Sequence, residues 1–199
     1  SLRHLRNLAS LESAVPLKPG LALQRQFIDA LPYELTTAQN RIVAEISADL
    51  KNPNPMMRRI QGDVGSGKTV VAAAACAQAV ANGVQAAFMA PTELLAEQHW
   101  ASFREWFDTL GVELAWLSGS QKQSERRRSL EAIGSGNAQI VIGTHALFQE
   151  GVEFSRLGLI VIDEQHRFGV HQRVALRDKG RSESEHPHQL VMTATPIPR

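Results

Sequence analysis

Cysteine is nearly absent: the chain of 199 residues has one, Cys76, which excludes an internal disulfide and any thiolate-rich metal site. An excess of either charge is missing as well. Lys and Arg number 21 against 20 Asp and Glu, so nucleic-acid binding cannot follow from global charge and has to come from local surfaces. No apolar run approaches the length of a membrane span. There is no internal repeat and no low-complexity tract. The opening Ser1-Leu2-Arg3-His4 lacks both an initiator methionine and the charged-then-apolar layout of a secretion signal, and it reads as a boundary inside a longer protein. One cysteine suits a reducing compartment, and the expected location is the cytoplasm, away from any membrane.

What is present is a β/α alternation preceded by a different kind of segment. Residues 1–33 hold two short apolar stretches divided by Pro16-Leu17-Lys18-Pro19-Gly20. They read as a connector from a preceding domain, with helices around Leu2–Leu11 and Leu21–Ala30. From residue 34 to 199 the expected domain is α/β, with a mostly parallel sheet. Helices are expected after Thr36 or Thr37, after the glycine-rich loop as far as Asn82-Gly83, over Glu93–Phe107 and over Gln121–Ile133. Strands are expected at Met57–Gln61, Gln85–Ala90, Val112–Leu117, Gln139–Gly143, Leu159–Ile162 and Val191–Thr193. Runs such as Ile140-Val141-Ile142 and Leu159-Ile160-Val161-Ile162 do not alternate with polar residues. They imply burial on both faces, as in a parallel sheet covered by helices on each side. Arg58 and Arg59 make Met57–Gln61 the least apolar strand, with one end expected to be exposed.

The glycine-rich loop carries the chemistry. Gly62-Asp63-Val64-Gly65-Ser66-Gly67-Lys68-Thr69 fits G-x-x-x-x-G-K-[ST] between an expected strand and an expected helix. Glycines let backbone amides close on phosphate oxygens, and the helix N-terminus adds partial positive charge. Lys68 supplies a full charge to the β- and γ-phosphates, and the Thr69 hydroxyl faces Mg²⁺. Such a loop needs a carboxylate at the end of a buried strand, and Leu159-Ile160-Val161-Ile162-Asp163-Glu164 provides two. Asp163 is the expected Mg²⁺ carboxylate, acting through coordinated water, and Glu164 the general base for the attacking water. Phosphate loop and carboxylates together make an NTPase that works with Mg²⁺. Gln39, upstream of the loop, can accept from adenine N6 and donate to N7, although a glutamine at a helix start is more often merely exposed. Tyr33 or Phe27 could stack on the base, and either is equally expected in the core. The remaining candidates read blandly: Cys76 as packing, Arg126-Arg127-Arg128 as an exposed helix face, and His186-Pro187-His188 as no metal site for want of a companion ligand.

These motifs together resemble superfamily-two helicases. Asp163-Glu164-Gln165-His166 is a DExH box, Thr193-Ala194-Thr195 is similar to motif III, and Ala90–Gln98 resembles motif Ia. Ile142-Gly143-Thr144-His145 resembles a later DNA-contacting segment, and the order along the chain is the same. The longer strings Met56–Thr69, Asp163–Val170 and Met192–Arg199 resemble the RecG family. The Mfd family of transcription-repair coupling translocases shares much of them, but Ser66, Val70-Val71 and Gln165 are closer to RecG. The resemblance implies a RecA-like three-layer P-loop lobe, truncated after motif III. It implies that Gln39 reads adenine, Gly62 to Thr69 bind ATP, and His166, Thr193 and Thr195 couple the ATP site to DNA. Thr92 and Thr144 would touch the DNA backbone without reading sequence. The implied partners are branched DNA (forks and Holliday junctions), a second motor lobe and an N-terminal wedge domain of the same monomeric chain. The implied process is recombination and repair. An Mfd-like duplex translocase lobe, a small-molecule kinase and a nucleotide-responsive module without turnover remain the alternatives.

Overall fold

A computed structural model describes residues 13–62, 67–164 and 185–194, with only the backbone of Glu164 and Ala194. In chain order the helices are α1 (Ala22–Asp29), α2 (Thr37–Leu50), α3 (Lys68–Ala81), α4 (Glu93–Phe107) and α5 (Gln123–Ser135). The strands are β1 (Met57–Gly62), β2 (Gln85–Met89), β3 (Leu114–Leu117), β4 (Ile140–Gly143), β5 (Leu157–Glu164) and β6 (His188–Ala194). They form one six-stranded sheet in the order β1-β6-β5-β2-β4-β3, and every neighbouring pair is parallel.

Burial on both faces explains the unbroken apolar strands, because successive residues enter two different cores. Phe88, Ile140, Ile142, Leu159, Val161, Leu190 and Met192 face the layer built by α1 to α4. Met89, Val141, Ile160, Ile162 and Val191 face the smaller layer of α5 and the short 3-10 turn His145–Phe148. This is the α/β three-layer fold expected from the sequence. The arginine-bearing β1 lies at the sheet edge, paired among the described residues only with β6. There Arg58 turns outward to ion pairs with Glu45 and Asp49 of α2.

Helix α3 is the spine of the larger layer. Val70 through Val80 are all buried, and the run of alanines lets neighbouring helices approach closely. Its one fully buried polar side chain, Gln78, is satisfied: Nε2 donates to the Leu17 carbonyl at 2.8 Å and the Ser47 carbonyl at 3.2 Å, and Oε1 accepts from Gln24. Residues 13–33 are therefore fastened to the lobe. Leu17 is fully buried, and Phe27 stacks on Phe107 at 5.0 Å between ring centroids. Phe27 is thus a core residue, whereas Tyr33 is 49% exposed. The expected helix over Leu2–Leu11 lies outside the described residues.

Several boundaries differ from the pattern-based ones, each for a physical reason. β3 starts at Leu114 rather than Val112, because the chain is still closing the preceding turn, where Gly111 has φ +71° and Val112 N–H donates to the Phe107 carbonyl. β5 runs on through Asp163 and Glu164, whose register partners are Met192 and Thr193 of β6. β6 starts earlier than its apolar residues suggest. His188 and Gln189 are buried polar residues with backbone partners: Met56 N–H donates to His188 Nδ1, and Gln189 N–H donates to the Met56 carbonyl.

Candidate nucleotide and nucleic-acid site

All parallel strands point their C-terminal ends the same way, and ligand sites of open α/β sheets lie along that edge. The strand order sorts the candidate residues there into two groups. β1, β6 and β5 carry Gly62, Thr193 and Asp163, while β2 and β4 are followed by Thr92 and Thr144.

The first group surrounds the phosphate loop. Lys68 and Thr69 open α3, so the helix N-terminus faces the loop. Lys68 Nζ donates to the Thr193 carbonyl at 2.9 Å. Thr193 lies across from Gln61 of β1 and Glu164 of β5, so the lysine ammonium sits one strand away from the acidic pair. The Thr193 hydroxyl donates to the Ile60 carbonyl at 3.4 Å, tying it back to β1.

Gly67 is held from outside the loop by Gln39. The glutamine closes a capping box at the start of α2: Thr36 N–H donates to its Oε1 at 2.9 Å, and its own N–H donates to Thr36 Oγ1 at 3.1 Å. Its Nε2 also donates to the Gly67 carbonyl at 3.5 Å, the long end of the range. A half-buried side chain thus joins helix start to phosphate loop, a role the sequence does not reveal. Next to this turn is a groove of about 480 Å³ lined by Ile28, Leu31, Tyr33, Leu35 and Asn40, with polar and apolar walls.

Asp163 is 15% exposed, and its Oδ2 lies 2.8 Å from His99 Nε2 on α4. Its Oδ1 has no partner among the described residues, which leaves an acceptor at the carboxylate for a hydrated divalent cation. The chemistry of the two expected donors, a carboxylate on Asp163 and a hydroxyl on Thr69, suits Mg²⁺, which takes hard oxygen ligands. Of the other expected site residues, Asp63, Val64, Gly65, Ser66, His166 and Thr195 lie outside the described residues, as does the Glu164 side chain.

The second group is built from helix starts. Thr92 is exposed and caps α4, its Oγ1 accepting from Leu95 N–H at 3.2 Å. Thr144 is only 2% exposed, its hydroxyl accepting from Ala146 N–H and its own N–H donating to the Leu117 carbonyl. The group facing solvent at that turn is His145. Gly143 permits the turn, because a methyl there would lie 2.0 Å from the Leu117 carbonyl oxygen. Glu93 is fixed beside it by Ser120, whose hydroxyl and N–H both donate to Oε1, and those bonds hold the carboxyl below its ordinary range. Glu93, Glu97 and Glu125 rim the groove beyond β3, which makes it a poor surface for phosphate.

Comparison with known proteins agrees with this fold. The family model described as DEAD/DEAH box helicase matches residues 36–199. ATP-dependent DNA helicase RecG of Escherichia coli O157:H7 is 57% identical over 199 residues, which is 100% of this chain and 29% of the relative. The chain therefore spans less than a third of that relative's length. Among solved structures, RecG bound to a three-way DNA junction superposes with a TM-score of 0.84 at 41% identity, covering 98% of this chain and 26% of that one. The DEAD-box helicase Mss116 bound to ssRNA and UDP-BeF gives a TM-score of 0.70 at 19% identity over 92% of this chain and 42% of that one, a likeness of fold.

Proposed function

The chain belongs to the DEAD/DEAH box helicase family, and from that premise we propose that it is the first ATP-binding motor lobe of a longer RecG-type helicase acting on branched DNA. The observation that carries this reading is the bond from Lys68 Nζ to the Thr193 carbonyl. It brings the phosphate-loop cation onto the strand between β1 and the acidic strand β5, where a triphosphate would bridge them.

In this reading Lys68 exchanges the Thr193 carbonyl for β- and γ-phosphate oxygens, so ATP and the end of β6 compete for one ammonium. That competition supplies a physical form for coupling through Thr193, with His166 and Thr195 continuing it. Thr69 and Asp163 hold Mg²⁺, which supplies charge neutralisation on the phosphates when bound. Glu164 orients and deprotonates the attacking water. The Gln39 amide keeps a second lone pair and a second N–H beyond its bonds to Thr36 and Gly67. It can therefore still accept from adenine N6 and donate to N7, and the exposed Tyr33, on the groove next to this turn, is the candidate for stacking.

DNA backbone binds across the ends of β2 and β4, where Thr92 is exposed and Thr144 shapes the turn presenting His145. Contacts of this kind carry no base readout, so binding is independent of sequence. The partners are forks and Holliday junctions, a second motor lobe closing over the nucleotide, and a wedge domain reached through residues 1–33, all within one monomeric chain. An arginine from a second lobe is worth about 10³–10⁵ in rate. The lobe alone is therefore expected to bind Mg-ATP, hydrolyse it slowly and unwind nothing. In the full-length protein, ATPase should rise more with forked than with linear DNA. DNA-stimulated turnover near the full-length rate from this lobe alone contradicts the proposal.

A further inference from the structure

The two groups of residues along the sheet edge meet where β5 lies beside β2. Helix α4 grows out of β2 at that junction. Its cap is Thr92, and about two turns later it places His99 against β5. None of the sequence motifs assigns His99 a task. Its ring is nonetheless tightly placed: Nε2 is 2.8 Å from Asp163 Oδ2, its side chain is 12% exposed, and its centroid is 4.6 Å from that of the fully buried Phe88. An ionised carboxylate only accepts, so Nε2 carries the proton and donates it.

We propose that His99 is a positioning residue for the cation-binding carboxylate: its Nε2–H pins Asp163 Oδ2, fixes the carboxylate plane, and leaves Oδ1 to receive the hydrated cation. The proposal rests on the reading of Asp163 as the Mg²⁺ carboxylate. A free carboxylate rotates about its terminal torsion and has to be ordered each time a cation arrives. Here the ordering is built in beforehand, since the imidazole packs against Phe88, which is itself backed by Phe103, and donates from Nε2 to the carboxylate. Hydrogen bonds that orient a ligand in this way are typically worth about 10–100-fold in metal affinity. The ring also belongs to the helix headed by the exposed Thr92, so the residue that sets the carboxylate is rigidly joined to the candidate DNA contact.

The simpler reading makes His99 a core ring that happens to find a carboxylate, and two substitutions separate the two. His99→Phe keeps an aromatic ring against Phe88 and removes the donor. His99→Gln removes the ring and keeps an N–H donor at similar reach. In the full-length protein saturated with a non-hydrolysable ATP analogue, Mn²⁺ affinity is read by electron paramagnetic resonance, and cation-free binding of a fluorescent ATP analogue is measured beside it. The expected result is about a 10–100-fold loss of Mn²⁺ affinity in His99→Phe with cation-free nucleotide binding unchanged, and recovery close to wild type in His99→Gln. Wild-type Mn²⁺ affinity in His99→Phe, or an equal loss in both variants, overturns the positioning role. Asp163→Asn serves as the reference: if it too leaves Mn²⁺ affinity intact, the assignment of Asp163 itself is what fails.

Discussion

Gly67 illustrates how much of the site is decided by single atoms. Its φ of +80° is a conformation that side chains resist, and a methyl group there would lie 1.9 Å from Gln39 Nε2. Two separate costs follow from one substitution. Gly67→Ala should lose about 1–2 kcal/mol from the backbone conformation alone, with a further loss from the clash, and should weaken ATP binding. In a Gln39→Ala background, whose own loss of the helix cap is measured separately, Gly67→Ala should cost only the backbone part, as measured by chemical denaturation. If Gly67→Ala costs as much in that background as in the wild type, the contact between Gln39 and the loop is not what the geometry says. The glycine and the lysine were legible from the loop pattern. The capping half of Gln39's role had a signal, since Thr36-Thr37-Ala38-Gln39 fits the capping-box pattern, but its bond to the loop did not, because it joins residues 28 apart in the chain. His99 was hidden for a similar reason: a histidine inside an amphipathic helix is unremarkable until β5 is laid beside β2. Cys76 is the opposite case. A small side chain in an alanine-rich helix reads as packing, and full burial pushes its thiol up to about 12, which makes it chemically inert.

At the scale of elements, the parallel sheet and its helices could be read from unbroken apolar strands, and the phosphate loop between β1 and α3 from its pattern. Polar residues inside elements spoiled the boundaries, since a buried His or Gln with backbone partners looks like a loop residue in a hydropathy pattern. His188 shows why that matters for the segment 13–33. Its Nδ1 accepts from Met56 N–H, and its Nε2 bonds the Val15 carbonyl at 2.9 Å, so one neutral ring fastens the connector to the start of β1. Burial, only partly offset by the Val15 carbonyl, lowers its pKa below the ordinary 6.5. The native state thus holds the neutral form, while the unfolded chain takes up a proton as pH falls through the unfolded value. The contribution of His188 should be complete above that value and decline as pH drops below it towards the folded value. Urea midpoints measured at neutral and mildly acid pH should fall more steeply for the wild type than for His188→Gln. Parallel slopes would mean that the ring does not carry this pH dependence. The docking of residues 13–33 was not legible, because Leu17 and Phe27 bury themselves against α3 and α4, far away in sequence.

For the molecule as a whole, the strand order β1-β6-β5-β2-β4-β3 lays the nucleotide residues and the candidate DNA residues side by side along one edge, with β5 and β2 as the seam. In the proposed reading this lobe holds residues for both chemistries and offers one wall of the nucleotide cleft. The proposed function requires nucleotide to be held between the phosphate-loop lysine and the β5 carboxylate. Calorimetric titration of ATP, with and without Mg²⁺, into wild type, Lys68→Ala and Asp163→Asn tests this most directly. Wild type should bind more tightly with Mg²⁺, Lys68→Ala should lose binding under both conditions, and Asp163→Asn should lose only the Mg²⁺-dependent gain. Binding by both variants indistinguishable from wild type would contradict the account.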